Sequence, residues 1–283
     1  MSDDGCQMKR TNDLKNRRMV KGLYTAFTGM VNEQKRLDVL SNNLANADTN
    51  GYKKEGTTSQ TFADELAIRI KDTSYFGMKK NLGTMSMGVH IGETYTDYSQ
   101  GNYKVTDNQT DFAINGDGFF AISYTDKAGN TSVKYTRDGA FIVNTQGYLV
   151  TKDGDFVLNQ NGAMNTDPNS RIQVNPNLPI VVTPDGGIYQ NDQLVGNIGL
   201  VNFEDYDYIA KFGENMYDIV DGATLVASEA TIDQGCLEAS NVNVVSEMVN
   251  MITISRAYQA GQKVINAVDN TLDKAVNQVG RVQ

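Results

Sequence analysis

The sequence predicts an α+β protein with long N- and C-terminal helices and a central antiparallel β domain. Three observations carry this. Apolar residues recur at heptad spacing after Met19 and again after Val244, and between these stretches glycines recur every seven to ten residues among short apolar runs.

Met1 to Arg18 are polar and lack apolar periodicity; they read as a disordered tail or as a mis-assigned start, with Met19 as the alternative first residue. From Met19 to about Ala47, Leu23, Met30, Leu37 and Leu44 fall seven apart, with Ala26, Phe27 and Leu40 between them, which predicts an N-terminal assembly helix within residues 19–52. Asn46, Asp48, Asn50 and Gly51 tolerate helix ends and turns, so the helix should stop there. Residues 53–98 read as an extended connector in which Phe62, Leu66 and Ile70 suggest a short helix.

Residues 99–235 read as the β domain. Gly129, Gly139, Gly147, Gly154 and Gly162 punctuate runs such as Phe141-Ile142-Val143, Tyr148-Leu149-Val150 and Phe156-Val157-Leu158, as consecutive hairpins do. In the C-terminal assembly helix, residues 236–283, Val244, Met251, Tyr258, Ile265, Leu272 and Val279 are seven apart, and Ile254, Gly261, Val268 and Ala275 form a second row. Ser240 or Asn241 can cap its start, with Glu247 in the early turns where the helix dipole favours a carboxylate. Each stripe must be buried, either against the other helix and copies in neighbouring subunits or on the β domain as a covering helix.

Composition excludes several classes of function. A formal charge of −9 without a basic, aromatic-laced stripe argues against nucleic acid. Cys6 and Cys236 belong to no C-x-x-C pair, and no apolar run approaches the about 20 residues of a membrane span, so no membrane insertion is expected. The N-terminus lacks the apolar core of a cleaved signal peptide.

Four motifs resemble one family. Ser41 to Lys54 reads S-N-N-L-A-N-A-D-T-N-G-Y-K-K, and Leu237 to Ala260 reads L-E-A-S-N-V-N-V-V-S-E-M-V-N-M-I-T-I-S-R-A-Y-Q-A; they resemble the N- and C-terminal signatures of the flagellar basal-body rod and hook family. Ser255 departs from that pattern, standing where Gln usually precedes Arg-Ala-Tyr. Asp111 to Phe120 and Tyr135 to Phe141 are similar to the family's β-domain motifs. The resemblance implies a structural, non-enzymatic rod subunit in the bacterial flagellum basal body, polymerising through its terminal helices, with the N- and C-terminal helices forming a coiled-coil layer, and transmitting torque. It further implies export by the flagellar type III apparatus without a cleaved signal, and partners that are copies of itself and adjacent rod and hook proteins. Length and the connector after residue 53 resemble those of a distal rod subunit; a proximal rod or hook-type axial protein of the same family is the alternative. Asn42, Asn43 and Asn46 either set register in an apolar seam or merely terminate the helix. A helix-dimerised binding module or adhesin is the competing class.

No cofactor or metal is expected. Gly116 to Ala121 satisfies G-x-G-x-x-A, but the next residues read as a strand where a dinucleotide site needs a helix, so a hairpin turn is expected. His90 is the only histidine and lacks a nucleophile-elbow sequence. Neither Asp153-Gly154-Asp155 nor Asn115-Gly116-Asp117 continues into a calcium loop with its closing Glu.

Overall fold

The structure is a computed structural model that describes residues 4–62, 65–68, 81–85, 88–213, 215–220, 222–274 and 277. Two compact units emerge: a helical unit drawn from Met1–Ala45, Glu55–Asp97 and Asn243–Gln283, and a β unit drawn from Asn46–Lys54 and Tyr98–Val242. The chain therefore passes between units four times, at 45/46, 54/55, 97/98 and 242/243.

In the helical unit, α1 runs Asp4–Ala45. It begins well before Met19, where a disordered tail or a mis-assigned start is expected. The residues Met8, Lys9, Arg10, Leu14 and Lys15 are strong helix formers, and no Pro interrupts them, so backbone propensity extends the helix past its apolar stripe. Strands follow: β1 (Glu55–Thr61), β2 (Glu65–Ile68), β3 (Asn81–Met85) and β4 (Val89–Thr96). β1 pairs antiparallel with β4 from Glu55↔Thr96 to Thr61↔Val89, with a bulge between Thr57 and Ser59, and β2 pairs with β3. The short helix expected from Phe62, Leu66 and Ile70 is thus replaced by ribbons. Leu66 lies in β2, Phe62 stacks on His90 at 4.7 Å, and Ile70 lies outside the described residues. Three apolar residues four apart are a thin helical signal, and the β-branched Thr57, Thr58 and Thr61 of the preceding β1 fit a ladder better than a helix.

The β unit contains β5 (Tyr103–Val105), β6 (Phe112–Asn115), β7 (Phe119–Thr125), β8 (Thr131–Thr136), β9 (Ile142–Val143), β10 (Leu149–Val150) and β11 (Phe156–Val157). The short helix α2 (Gln160–Asn165) precedes β12 (Val181–Val182), β13 (Gly187–Gln190), β14 (Gln193–Asn197) and β15 (Leu200–Phe203). β16 (Ile209–Phe212), β17 (Met216–Ile219), β18 (Leu225–Ala227), β19 (Thr231–Gln234) and β20 (Cys236–Glu238) complete it. All pairings are antiparallel, and the main sheet has nine strands. The β9–β10–β11 hairpins stand where the sequence places them. Gly116-Asp117-Gly118 does link two strands, but β6 pairs with β19 and β7 with β8, so the turn joins different sheets and is no hairpin.

β7 sits at the centre. β8 covers one edge, while β15 at Phe119–Phe120 and β11 at Ile122–Ser123 share the other. Its side chains alternate between two cores: Phe120 packs with Phe112, Phe141, Leu149 and Ile188, and Phe119 and Ala121 pack with Tyr135, Val201, Phe203 and Tyr217. Burial on both faces explains the unbroken apolar run Phe119–Ile122, each such aromatic contributing about 1.5–3 kcal/mol.

Back in the helical unit, α3 runs Val244–Lys274. Asn243, rather than Ser240 or Asn241, caps it: its Oδ1 accepts from Ser246 N at 3.1 Å and its carbonyl accepts from Glu247 N at 3.0 Å. Asn241 is engaged in the β unit instead, where its Oδ1 accepts from Lys54 N at 2.7 Å.

Two stability predictions follow from the packing of the β unit. A Cβ on Gly139 would stand 1.7 Å from Phe112 O, so Gly139→Ala should cost about 1–3 kcal/mol in urea unfolding; an unchanged midpoint would show that the loop yields freely. Tyr135 is buried, its hydroxyl has no hydrogen-bond partner among the described residues, and burial, with Asp218 adding to it, pushes its phenol well above the ordinary value. The unfolded phenol ionises near pH 10 while the folded one resists, so stability falls as pH rises above about 10. Tyr135→Phe should be neutral to about 1–2 kcal/mol stabilising at pH 7 and should lessen that alkaline loss, as measured by unfolding at pH 7 and 10.5.

Candidate assembly site

In the helical unit, α1 and α3 pack against each other as an antiparallel pair. Met30 of α1 meets Gly261 of α3, where a Cβ would lie 2.6 Å from Met30 Cγ, and Glu33 and Arg36 stand opposite Asn250, Thr253, Ile254 and Ala257. Of the stripe residues, Leu23, Met30, Leu37 and Leu44 are half-buried, as are Met251 and Ile265; Val244, Tyr258 and Leu272 are exposed, and Val279 lies outside the described residues. In the second row Ile254 is buried, Gly261 and Val268 are half-buried and Ala275 lies outside the described residues; Glu247, one heptad before Ile254, is buried as well. Period-seven spacing found both rows, but periodicity alone does not say which of two adjacent rows faces the partner helix.

A second, open stripe remains on each helix. On α3, Val245 is 72% exposed, Val249 58% and Ile252 54%, with Met248 between them. These fall at i, i+3, i+4 and i+7, one helical face. On α1, Tyr24, Phe27 and Val31 are likewise exposed at i, i+3 and i+7.

The asparagines of α1 and of the turn that follows it divide by position. Asn43 is fully buried, and its carboxamide exchanges both bonds with Glu55: Nδ2 donates to Glu55 O at 2.8 Å and Oδ1 accepts from Glu55 N at 3.0 Å. Asn43 thus reads the backbone that opens β1. Asn32, also buried, exchanges hydrogen bonds with Ser59 Oγ. Asn46 is half-buried and its Oδ1 accepts from the Thr49 hydroxyl at 3.2 Å, while Asn42 is exposed.

The β unit holds a junction that sequence reasoning missed. Glu238, Lys53 and Arg137 are 1%, 1% and 3% exposed and form a buried ionic triad. Lys53 Nζ reaches Glu238 Oε1 at 2.6 Å and Arg137 Nη1 reaches Oε2 at 3.2 Å. Lys53 Nζ also donates to Ser99 O, Gly101 N donates to Glu238 Oε1, and Arg137 Nη2 donates to Gly116 O. Main-chain bonds reinforce the triad, with Gly51 N donating to Glu238 O at 2.7 Å and Ala239 N to Asn102 O at 2.8 Å. Gly51 has φ +65, and a Cβ there would meet the Arg137 main chain at 2.5 Å, so only glycine fits. Nearby, burial first and then the Glu238 charge raise the Tyr103 phenol above its ordinary value.

The segments that carry the chain into and out of the β unit, 51–54, 99–102 and 238–241, are therefore bound to one another around one carboxylate. A signal was present: Lys53, Arg137 and Glu238 each lie inside a quoted motif, and Glu238 follows the apolar Leu237 where a buried strand would not ordinarily place a charge.

These same segments recur in known proteins. Three family models match: one described as flagella basal body rod protein over residues 23–53, one as flagellar hook protein FlgE/F/G D1 domain over 113–190, and one as flagellar basal body rod FlgEFG protein C-terminal over 233–279. Each contains one member of the triad. Flagellar basal-body rod protein FlgG of Buchnera aphidicola subsp. Schizaphis graminum is 34% identical, covering 90% of this chain and 98% of its own length. Flagellar basal-body rod protein FlgF of Caulobacter vibrioides is 33% identical over 93% of this chain and 100% of its own, and FlgG of Bacillus subtilis is 33% identical over 92% and 99%. Matched in order by three models and along nine-tenths of its length by such relatives, the chain belongs to the flagellar basal-body rod protein family.

Proposed function

We propose that this structural rod subunit of the flagellar basal body polymerises with further copies of itself by burying the open apolar stripes of α1 and α3, so that terminal helices of successive subunits form a coiled-coil layer that carries torque. One observation supports this: after the helices have packed on each other, Val245, Met248, Val249 and Ile252 on α3 and Tyr24, Phe27 and Val31 on α1 still face outward. Apolar faces of this kind on a family of assembling proteins are what an inter-subunit seam requires. Adjacent rod and hook proteins occupy the two ends of such a polymer, and the subunit reaches them through the flagellar export apparatus. No described helix is long and apolar enough to cross a membrane. Length and the connector after Lys53 favour the distal part of the rod.

Val249→Asp with Ile252→Asp places two charges on the open face and none in the covered seam. The double variant should unfold within about 0.5 kcal/mol of the parent, yet fail to form rods and fail to restore swimming in cells lacking the protein. Full motility with rods of normal length would sink the proposal. Immunogold labelling of isolated basal bodies should place the protein beyond the peptidoglycan layer; label confined to the cell-proximal side would overturn the distal assignment.

A further inference from the structure

We infer that the Lys53–Glu238–Arg137 triad is a positioning latch: it fixes the relative register of the three junction segments of the β unit, and it does so without adding to the unit's overall stability. The inference stands on the burial and geometry of the triad alone and is independent of how subunits assemble.

Two features of the triad point this way. First, it is an expensive way to fill space. Three charges lie at 3% exposure or less, two of them cations against one anion, and Arg137 Nε has no hydrogen-bond partner among the described residues. Desolvating three such groups consumes most of what their mutual attraction returns, and apolar side chains of similar volume generally do as well or better. Second, its described bonds tie segments distant in the chain. Lys53 and Glu238 are separated by 185 residues and Arg137 and Glu238 by 101. The further acceptors and donors, Ser99 O, Gly101 N and Gly116 O, are all main-chain atoms at fixed positions. A carboxylate with two defined lone-pair faces accepts Lys53 and Gly101 on Oε1 and Arg137 on Oε2, so a one-residue slip of 238–241 against 51–54 or 99–102 would strand at least one buried charge. An apolar plug would tolerate that slip.

Purified full-length protein tests this with three variants, urea unfolding and peptide-resolved hydrogen exchange. Glu238→Gln keeps the shape but leaves two buried cations without their anion, and its unfolding midpoint should fall by about 1 M urea or more. The apolar triple variant Lys53→Met/Arg137→Met/Glu238→Leu should return to the parent midpoint or exceed it. Even so, amides in 51–54, 99–102 and 236–241 should exchange about tenfold faster or more, while the β7–β8 pair keeps its parent protection. Lys53→Met alone leaves the balanced Arg137–Glu238 pair; it should unfold near the parent midpoint and show faster exchange in 51–54 and 99–102. Parent-like protection in both Lys53→Met and the triple variant would overturn the latch, since packing alone would then hold the register. A triple variant that unfolds below Glu238→Gln or fails to fold would overturn it as well, making the triad an ordinary stabilising contact. Faster exchange spread evenly over the β unit would count against it in the same way.

Discussion

The architecture of the β unit turns on one carboxylate. Glu238 accepts from Lys53, Arg137 and the amide of Gly101, and its own carbonyl accepts from Gly51. A carboxylate buried this completely persists only when its charge is compensated and its lone pairs are occupied. The surroundings are shaped accordingly: glycine at 51 because Arg137's main chain is in the way, and an extended 99–102 segment whose main chain supplies both an acceptor for Lys53 and a donor for Glu238. Motifs that lie far apart in sequence are joined by the charge requirements of a single side chain.

Around that point the β unit is ordinary in its physics. β7 is apolar on both faces and shares its free edge between two strands, so the two hydrophobic clusters meet across one backbone. In the helical unit the logic differs, because α1 buries polar residues, Asn32 and Asn43, in contacts with the strands beside it and leaves Phe27 in the open. Such an inversion is costly for a free-standing domain, and the proposed assembly would relieve it by covering the open stripes.

Much of this was legible beforehand. Heptad spacing located α1 from Leu23 onward and α3 from Val244, and glycine spacing located the β9 to β11 hairpins, because both signals are local and periodic. The β1–β4 ribbon was not legible: its ladder joins Glu55 to Thr96, and a stretch whose few apolar residues show no period gives no hint of a partner some forty positions away. The cap at Asn243 was missed for a similar reason. Several polar residues precede α3, and only the tertiary engagement of Asn241 with Lys54 removes it from the competition. The junction triad was the deepest omission, since the residues stood inside recognised motifs but pairing across 185 positions has no periodic signature.

The contact of Met30 with Gly261 bears on how a pair of helices answers a pull along its length. Apolar stripes resist separation well and sliding poorly, because one smooth face can be exchanged for the next turn 5.4 Å on. Here the methionine sits in a notch that only a missing side chain provides, and a shift in one direction would bring the branched Ile265 against it. The pair behaves less like two greased rods than like a shaft and its key, in which axial shear is opposed by shape.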